Sequence, residues 1–206
     1  MVIIDQVHEG YVFARRVRVL AELLAARLPH QARVLDIGCG DGRISQAVRT
    51  LRPDVAIEGI DVLVRPKTHI PVTPFDGARV PFADASFDVV MFVDVLHHTT
   101  DPTILLREAA RVTRRDLVIK DHTRDGWLAG PTLRFMDYVG NARHGVALPG
   151  NYWPERRWRE TFRALDLEVV DWTQKIPLYP WWAAWLFGRS LHFLARLTVR
   201  AGTATA

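Results

Sequence analysis

A nine-residue run, Val34-Leu35-Asp36-Ile37-Gly38-Cys39-Gly40-Asp41-Gly42, constrains the fold of this chain more than any other feature. The short apolar stretch Arg33–Ile37 reads as a buried strand, and the glycines force a tight turn before a helix over Gly42–Leu51. Glycines let a ligand approach the backbone closely, and a helix start supplies partly positive N–H groups. A dinucleotide loop, G-x-G-x-x-G, would need its third glycine at position 43, which is Arg43, and the P-loop lysine is also absent. A carboxylate or the tail of an amino acid suits the turn better than pyrophosphate.

The rest of the first 122 residues alternates in the same way. Gln6–Leu28 carries apolar residues at helical spacing and stops at Pro29. Strands are expected at Val55–Asp61, Ile70–Phe75, Phe87–Val95 and Asp116–Lys120, with a helix from Asp101-Pro102 to about Val112. Such alternation predicts an α/β fold, a parallel sheet with helices on both faces. Beyond Asp121 the spacing predicts helices over Leu133–Asn141 and Pro154–Leu165 and strands over Leu167–Thr173 and Leu191–Val199. The ends of strands two and three carry Asp61, 21 residues beyond Gly40, and Asp76 in Phe75-Asp76-Gly77. An acid at the first place can accept from ribose hydroxyls. An acid at the second, with the Gly77 N–H, can read the edge of a base. Together with the glycine turn they define one crevice at the carboxyl edge of the sheet.

VLDIGCGDG (34–42), the acid of IEGID (57–61) and FDGARVPFADASFDVVMFVDVLHH (75–98) together resemble the class I S-adenosylmethionine-dependent methyltransferases, in particular the small-molecule subgroup. The resemblance covers roughly residues 30–122. It implies a Rossmann-like seven-stranded sheet, mostly parallel with an antiparallel C-terminal hairpin, and a helical substrate cap. The chain would then divide into an N-terminal lid helix (1–29), a cofactor-binding half (30–122), a cap (123–153) and a C-terminal part (154–206). It further implies that Gly38, Cys39 and Gly40 line the methionine moiety, that Asp36 holds the loop and orients the ammonium, and that Asp61 binds the ribose with Val62 against the adenine. Asp76 and Gly77 would recognise the adenine edge, and Asp94 to His98 would pass beneath the sulfonium. Tyr11 and Arg15, on the lid helix, become cofactor ligands. Only Val62–His69 separates strands two and three, where the family has a longer helix, so a more open adenine side is expected.

Methyl transfer from a sulfonium asks chiefly for positioning, and a phenol or acidic carbon also asks for a base. Histidine is the natural base near neutral pH. Candidates are His98 near the cofactor and His97 or His122 near the acceptor, with Asp121 beside them; the doublet is expected to send its two rings in different directions. These histidines could equally cap strand ends. Asp137, Tyr138, Asn141 and His144 place polar hooks on one helix, and Tyr152 and Trp153 follow on a loop. These six residues and Trp181 are the expected acceptor pocket wall. The alternative is an ordinary helix with solvated polar residues.

Charge and aromatics are uneven. Residues 123–206 hold 11 Lys+Arg against 7 Asp+Glu and all seven tryptophans, while residues 1–122 are neutral. Segment 178–187 has five aromatics and no charge. It is too short to span a bilayer and could be core, the wall of an apolar acceptor pocket, or a peripheral membrane contact. The arginines are scattered, which argues against a nucleic-acid partner. One cysteine excludes a disulfide framework and a cysteine-built zinc site, so no metal is expected. Met1–Gly10, with Asp5 and Glu9, lacks the apolar core of a secretory signal, so a cytoplasmic location is expected. The function implied is methyl transfer from S-adenosylmethionine to a small, apolar or aromatic acceptor. The alternatives are another reaction at the same cofactor, such as a cyclisation, or a non-catalytic binding protein.

Overall fold

Period-two alternation along the central strands decides which helices lie on which face. In the computed structural model, which describes residues 2–141, 150–179 and 190–200, β1 (Arg33–Ile37) sends Leu35 and Ile37 to one side and Val34 to the other. β4 (Phe87–Val93) and β5 (Thr113–His122) divide in the same manner. Phe92, Leu117 and Ile119 join Leu35 and Ile37 against α3 (Pro102–Val112) and α5 (Glu155–Ala164). Val89, Met91 and Val118 join Val34 against α1 (Val2–Ala25) and α2 (Arg43–Leu51). Each face therefore has its own core, as buried strands require. Trp158 and Phe162 of α5 close one side, and Leu20 and Leu24 of α1 the other, all fully buried.

β2 (Ala56–Asp61), β3 (Val72–Pro74), β6 (Leu167–Thr173) and β7 (His192–Val199) complete one seven-stranded sheet in the order β3-β2-β1-β4-β5-β7-β6. The pairs from β3 to β5 are parallel, and β7 runs antiparallel to β5 and β6. The expected mostly parallel sheet with an antiparallel C-terminal pair is what forms. Strand order reverses between β1 and β4, so a crevice opens outside their carboxyl ends.

Several boundaries differ from expectation, three of them for physical reasons. β3 shrinks to three residues, because Pro71 and Pro74 lack the N–H groups an edge ladder uses. β5 extends to His122, because β7 pairs with it as far as His122↔His192. α4 (Ala129–Asn141) starts four residues before Leu133, with Pro131 in its first turn, where a missing N–H costs nothing. Asp101 caps α3 by accepting from the Thr103 N–H at 2.9 Å, ahead of Pro102. Residues 62–71 contain no helix, as the short spacing implied.

Candidate active site

The glycine turn lies in the crevice, and its first N–H groups are spent inside the protein. The Gly38 and Cys39 N–H groups both donate to Ile60 O, at 2.8 and 3.3 Å, and the Gly40 N–H donates to Asp61 Oδ2 at 2.8 Å. The donors a phosphate would need are thus occupied inside the protein, which removes the pyrophosphate reading of the loop. Gly38, Gly40 and Gly42 all have positive φ, at 74°, 59° and 75°. A Cβ on Gly40 would meet nothing within 4 Å, so that side of the turn is open, whereas one on Gly38 would collide with Val95 at 2.6 Å.

Asp36 lies beneath the turn and is buried. Its Oδ2 accepts from Ser45 Oγ at 2.6 Å, and its Oδ1 has no hydrogen-bond partner. Burial pushes the carboxyl up to about 7, with the Asp61 charge adding to the shift and Ser45 opposing it. An orphaned buried carboxylate oxygen suits an ammonium group. Asp61 also accepts from the Leu63 N–H at 2.8 Å and keeps lone pairs for a diol. Val62 is 64% exposed, and a Cβ on Gly77 would stand 3.1 Å from its Cγ1. Val62 and Gly77 are therefore neighbours that could flank a flat ring. Asp76 spends Oδ1 on the Ala78 and Arg79 N–H groups, which hold its pKa below the usual range. Cys39 packs beside Gly59, and burial raises its thiol pKa.

Beyond the turn, the carboxyl ends of β4 and β5 and the start of β7 gather a second group. The 3-10 turn Leu96–His98 puts His97 and His98 together, with ring centroids 4.0 Å apart. The two rings are tilted 43° to each other, with His97 buried and His98 half-buried. His97 also lies 4.6 Å from His122, which lies 4.8 Å from His192 across the β5–β7 ladder. Asp121 organises them. Its Oδ1 meets His97 Nδ1 at 2.6 Å and accepts the His122 N–H at 2.7 Å, while its Oδ2 accepts the Leu96 N–H at 2.9 Å. Trp158 Nε1 donates to His122 O at 3.1 Å and fixes the strand end. Burial pushes His122 down to about 4, aided by the nearby Lys120 charge, so it is neutral at physiological pH.

Asp94, expected beneath the sulfonium, has its carboxylate engaged by Arg16 of α1 and Lys120 of β5. The pair of cations holds Asp94 well below the usual range despite its burial. Burial lowers Lys120, which also lies 3.3 Å from His192 Nδ1. Arg16, Lys120 and His192 were not among the expected site residues. The available signal was a lysine ending the apolar run Leu117–Ile119 with no turn after it. Arg15, the expected cofactor ligand, donates instead to Pro177 O at 3.1 Å, and its neighbour Arg16 turns toward Asp94. Tyr152 stands beside the histidines, its ring stacked on His97 at 5.4 Å. Trp153, expected in the pocket wall, is only 2% exposed and packs on Trp158 at 4.8 Å, so it is core. His144 and Trp181 lie outside the described residues, as do the side chains of Tyr11, Asp137, Tyr138 and Asn141.

The sheet order, the switch-point crevice and the turn define a Rossmann-like fold. The sequence model of a methyltransferase-domain family matches residues 8–171. The chain belongs to that family, the class I S-adenosylmethionine-dependent methyltransferases.

The 27-O-demethylrifamycin SV methyltransferase of Amycolatopsis mediterranei is 31% identical over 131 residues, covering 53% of this chain and 48% of that protein. The ubiquinone biosynthesis O-methyltransferase of Xanthomonas axonopodis is 33% identical over 110 residues, covering 47% and 45%. The chain thus spans about half the length of these two relatives. Among solved structures, the [4+2]-cyclase SpnF superposes with a TM-score of 0.65 at 17% identity, covering 90% of this chain and 81% of that one. An S-adenosylmethionine-dependent methyltransferase of Aquifex aeolicus gives 0.61 at 14%, covering 90% and 93%. These two likenesses concern the fold. Among the described residues, no helix is long and apolar enough to cross a membrane.

Proposed function

We propose that the chain transfers the methyl group of S-adenosylmethionine to the oxygen of a small hydroxylated acceptor. The single observation that carries this reading is the adjacency of two sites at one sheet edge: a glycine turn over an orphaned Asp36 oxygen, and a buried histidine ring oriented by Asp121. The residues fit the cofactor. Asp36 would hold the ammonium, Asp61 the ribose, and Val62 with Gly77 and Asp76 the adenine. When bound, the cofactor supplies an activated methyl on a positive sulfur.

The chain's own part is binding, orientation and a proton. Asp121 accepts the Nδ1 proton of His97, which leaves Nε2 as the basic atom, and it stabilises the imidazolium that forms on proton uptake. His122, kept neutral by burial, adds no charge that would repel a sulfonium. The relatives named for O-methylation support an oxygen acceptor. Tyr152 and His98 would line the acceptor side.

The test has two parts. S-adenosylhomocysteine should bind the intact chain, and Asp61→Ala should weaken it by about tenfold or more, because the ribose contact and the Gly40 tether are lost together. Turnover with a panel of phenolic and aliphatic alcohols should release S-adenosylhomocysteine; a rearranged product without its release would assign the pocket to a different reaction.

A further inference from the structure

At the start of α4 the exposed surface is rich in large apolar side chains. Trp127 is 83% exposed, Phe135 58% and Leu128 46%. At 3.6 residues per turn, Pro131, Arg134 and Phe135 share one side of α4, Trp127 and Leu128 lie in the turn that leads into it, and all five are exposed. The opposite side, Ala129, Leu133 and Met136, packs on Tyr152 and Leu191. Leu128 holds φ at 60°, a left-handed conformation that costs free energy for a side chain that glycine or asparagine would spare. The chain therefore keeps an apolar residue outward at the expense of strain. Arg124 is exposed just before this face. The nearby Asp125 carboxylate is turned to α5, where it accepts the Glu155 N–H at 2.8 Å.

We propose that this face of α4 docks the protein on an anionic lipid surface. Trp127, Leu128 and Phe135 enter the boundary between headgroups and acyl chains, and Arg124 and Arg134 meet the phosphates. Charge complementarity favours lipid over a second copy of the chain. Among the described side chains the stripe carries Arg134, with Arg124 exposed beside it, and no acid, and residues 123–206 have 11 Lys+Arg against 7 Asp+Glu. Two such faces would repel each other. The docking face adjoins the candidate site: Tyr152 Oη donates to Leu133 O at 3.3 Å, and the Tyr152 ring stacks on His97. An acceptor dissolved in the lipid would thus reach the histidines past the helix that touches the membrane. The docking itself does not depend on the chemistry assigned to the site.

The test is flotation of the full chain with vesicles of phosphatidylcholine alone and of phosphatidylcholine mixed with phosphatidylglycerol. Binding is expected to the mixed vesicles and to fall as salt rises. Trp127→Ser with Phe135→Ser should lower it about tenfold. Leu128→Asn should weaken binding while raising Tm, since it removes both the apolar contact and the strain. S-adenosylhomocysteine affinity, unchanged in these variants, verifies that they are folded. Three results would overturn the proposal: no binding to the mixed vesicles, wild-type binding by the double serine variant (which would point to segment 178–187), or a dimer in sedimentation that the double variant abolishes.

Discussion

Asp36 offers the sharpest test of how the turn recognises its ligand. Burial raises this carboxyl to about 7, and its Oδ1 lacks a partner. If the ligand's ammonium is that partner, binding requires the carboxylate. At pH 6 a group of pKa about 7 is roughly one-tenth ionised, and at pH 8 roughly nine-tenths. The affinity for S-adenosylhomocysteine should therefore rise about tenfold between those pH values, with close to one proton released on binding at pH 6. Calorimetry in buffers of different ionisation enthalpy measures both. His122, held near about 4, adds nothing in this window. The same shift has a consequence for the free protein. An acid whose pKa is raised by folding is ionised more readily in the unfolded chain, so stability falls as pH climbs from about 4 to about 7. The loss from this group approaches about 4 kcal/mol, and bound ligand should restore part of it. Asp36→Asn should remove the pH slope. A flat affinity between pH 6 and 8, proton uptake, or an unchanged slope in Asp36→Asn would refute the pairing.

Asp121→Asn should lower kcat by about a hundredfold or more while leaving S-adenosylhomocysteine affinity intact, because the amide cannot stabilise a His97 imidazolium and sets a donor against the Leu96 N–H; steady-state kinetics with calorimetry checks both halves. His122 has a folded pKa of about 4 against 6.5 when free, so the unfolded state gains protons first, and stability should fall as pH drops through 6.5 toward 4, by about 3 kcal/mol from this residue at the lower end. Asp36 acts in the opposite sense over the same range, so the loss is read by chemical denaturation as the difference in pH slope between the wild type and His122→Phe.

The parallel half of the sheet was legible because β1, β2 and β4 are largely apolar runs followed or ended by Gly38, Asp61 and Asp94. The cofactor side was legible for a related reason: Gly38–Gly40, Asp61 and Asp76 each sit where a strand ends, and position in the chain nearly fixes position in the crevice. The polar cluster was only half legible. His97 and His122 could be placed at strand ends, but their approach to His192 depends on an antiparallel pairing 70 residues away, which no local spacing encodes. Trp153 was misplaced because a loop aromatic can face a pocket or the core, and only the position of Trp158 on α5 decides which. Arg15 and Arg16 are adjacent, so a small rotation of α1 decides which of them reaches Asp94.

The Asp94 cluster shows how that rotation is fixed, and its charge count orders the effects of substitution. One carboxylate serves two cations, Arg16 from the helix that covers the crevice and Lys120 from the central sheet. Arg16 is 38% exposed on its side chain, so water screens it, whereas Lys120 is 1% exposed. Arg16→Met leaves Asp94 balanced by Lys120 and should cost about 1 kcal/mol or less. Lys120→Met leaves Asp94 with Arg16 alone and also removes the charge that depresses His122, so His122 should titrate at higher pH. Asp94→Asn is the severe change, since it strands two cations, one of them fully buried, and should cost about 3 kcal/mol or more. The helix responds differently from the global fold. Its later part, from Val19 to Ala25, is held by the core, but Arg16 is tied to the site by the ion pair. Hydrogen exchange around Arg16 should therefore quicken in Arg16→Met even though Tm hardly moves. If Arg16→Met proves as destabilising as Asp94→Asn, the ion pair is not screened as its exposure implies, and the helix is anchored there by something other than this charge.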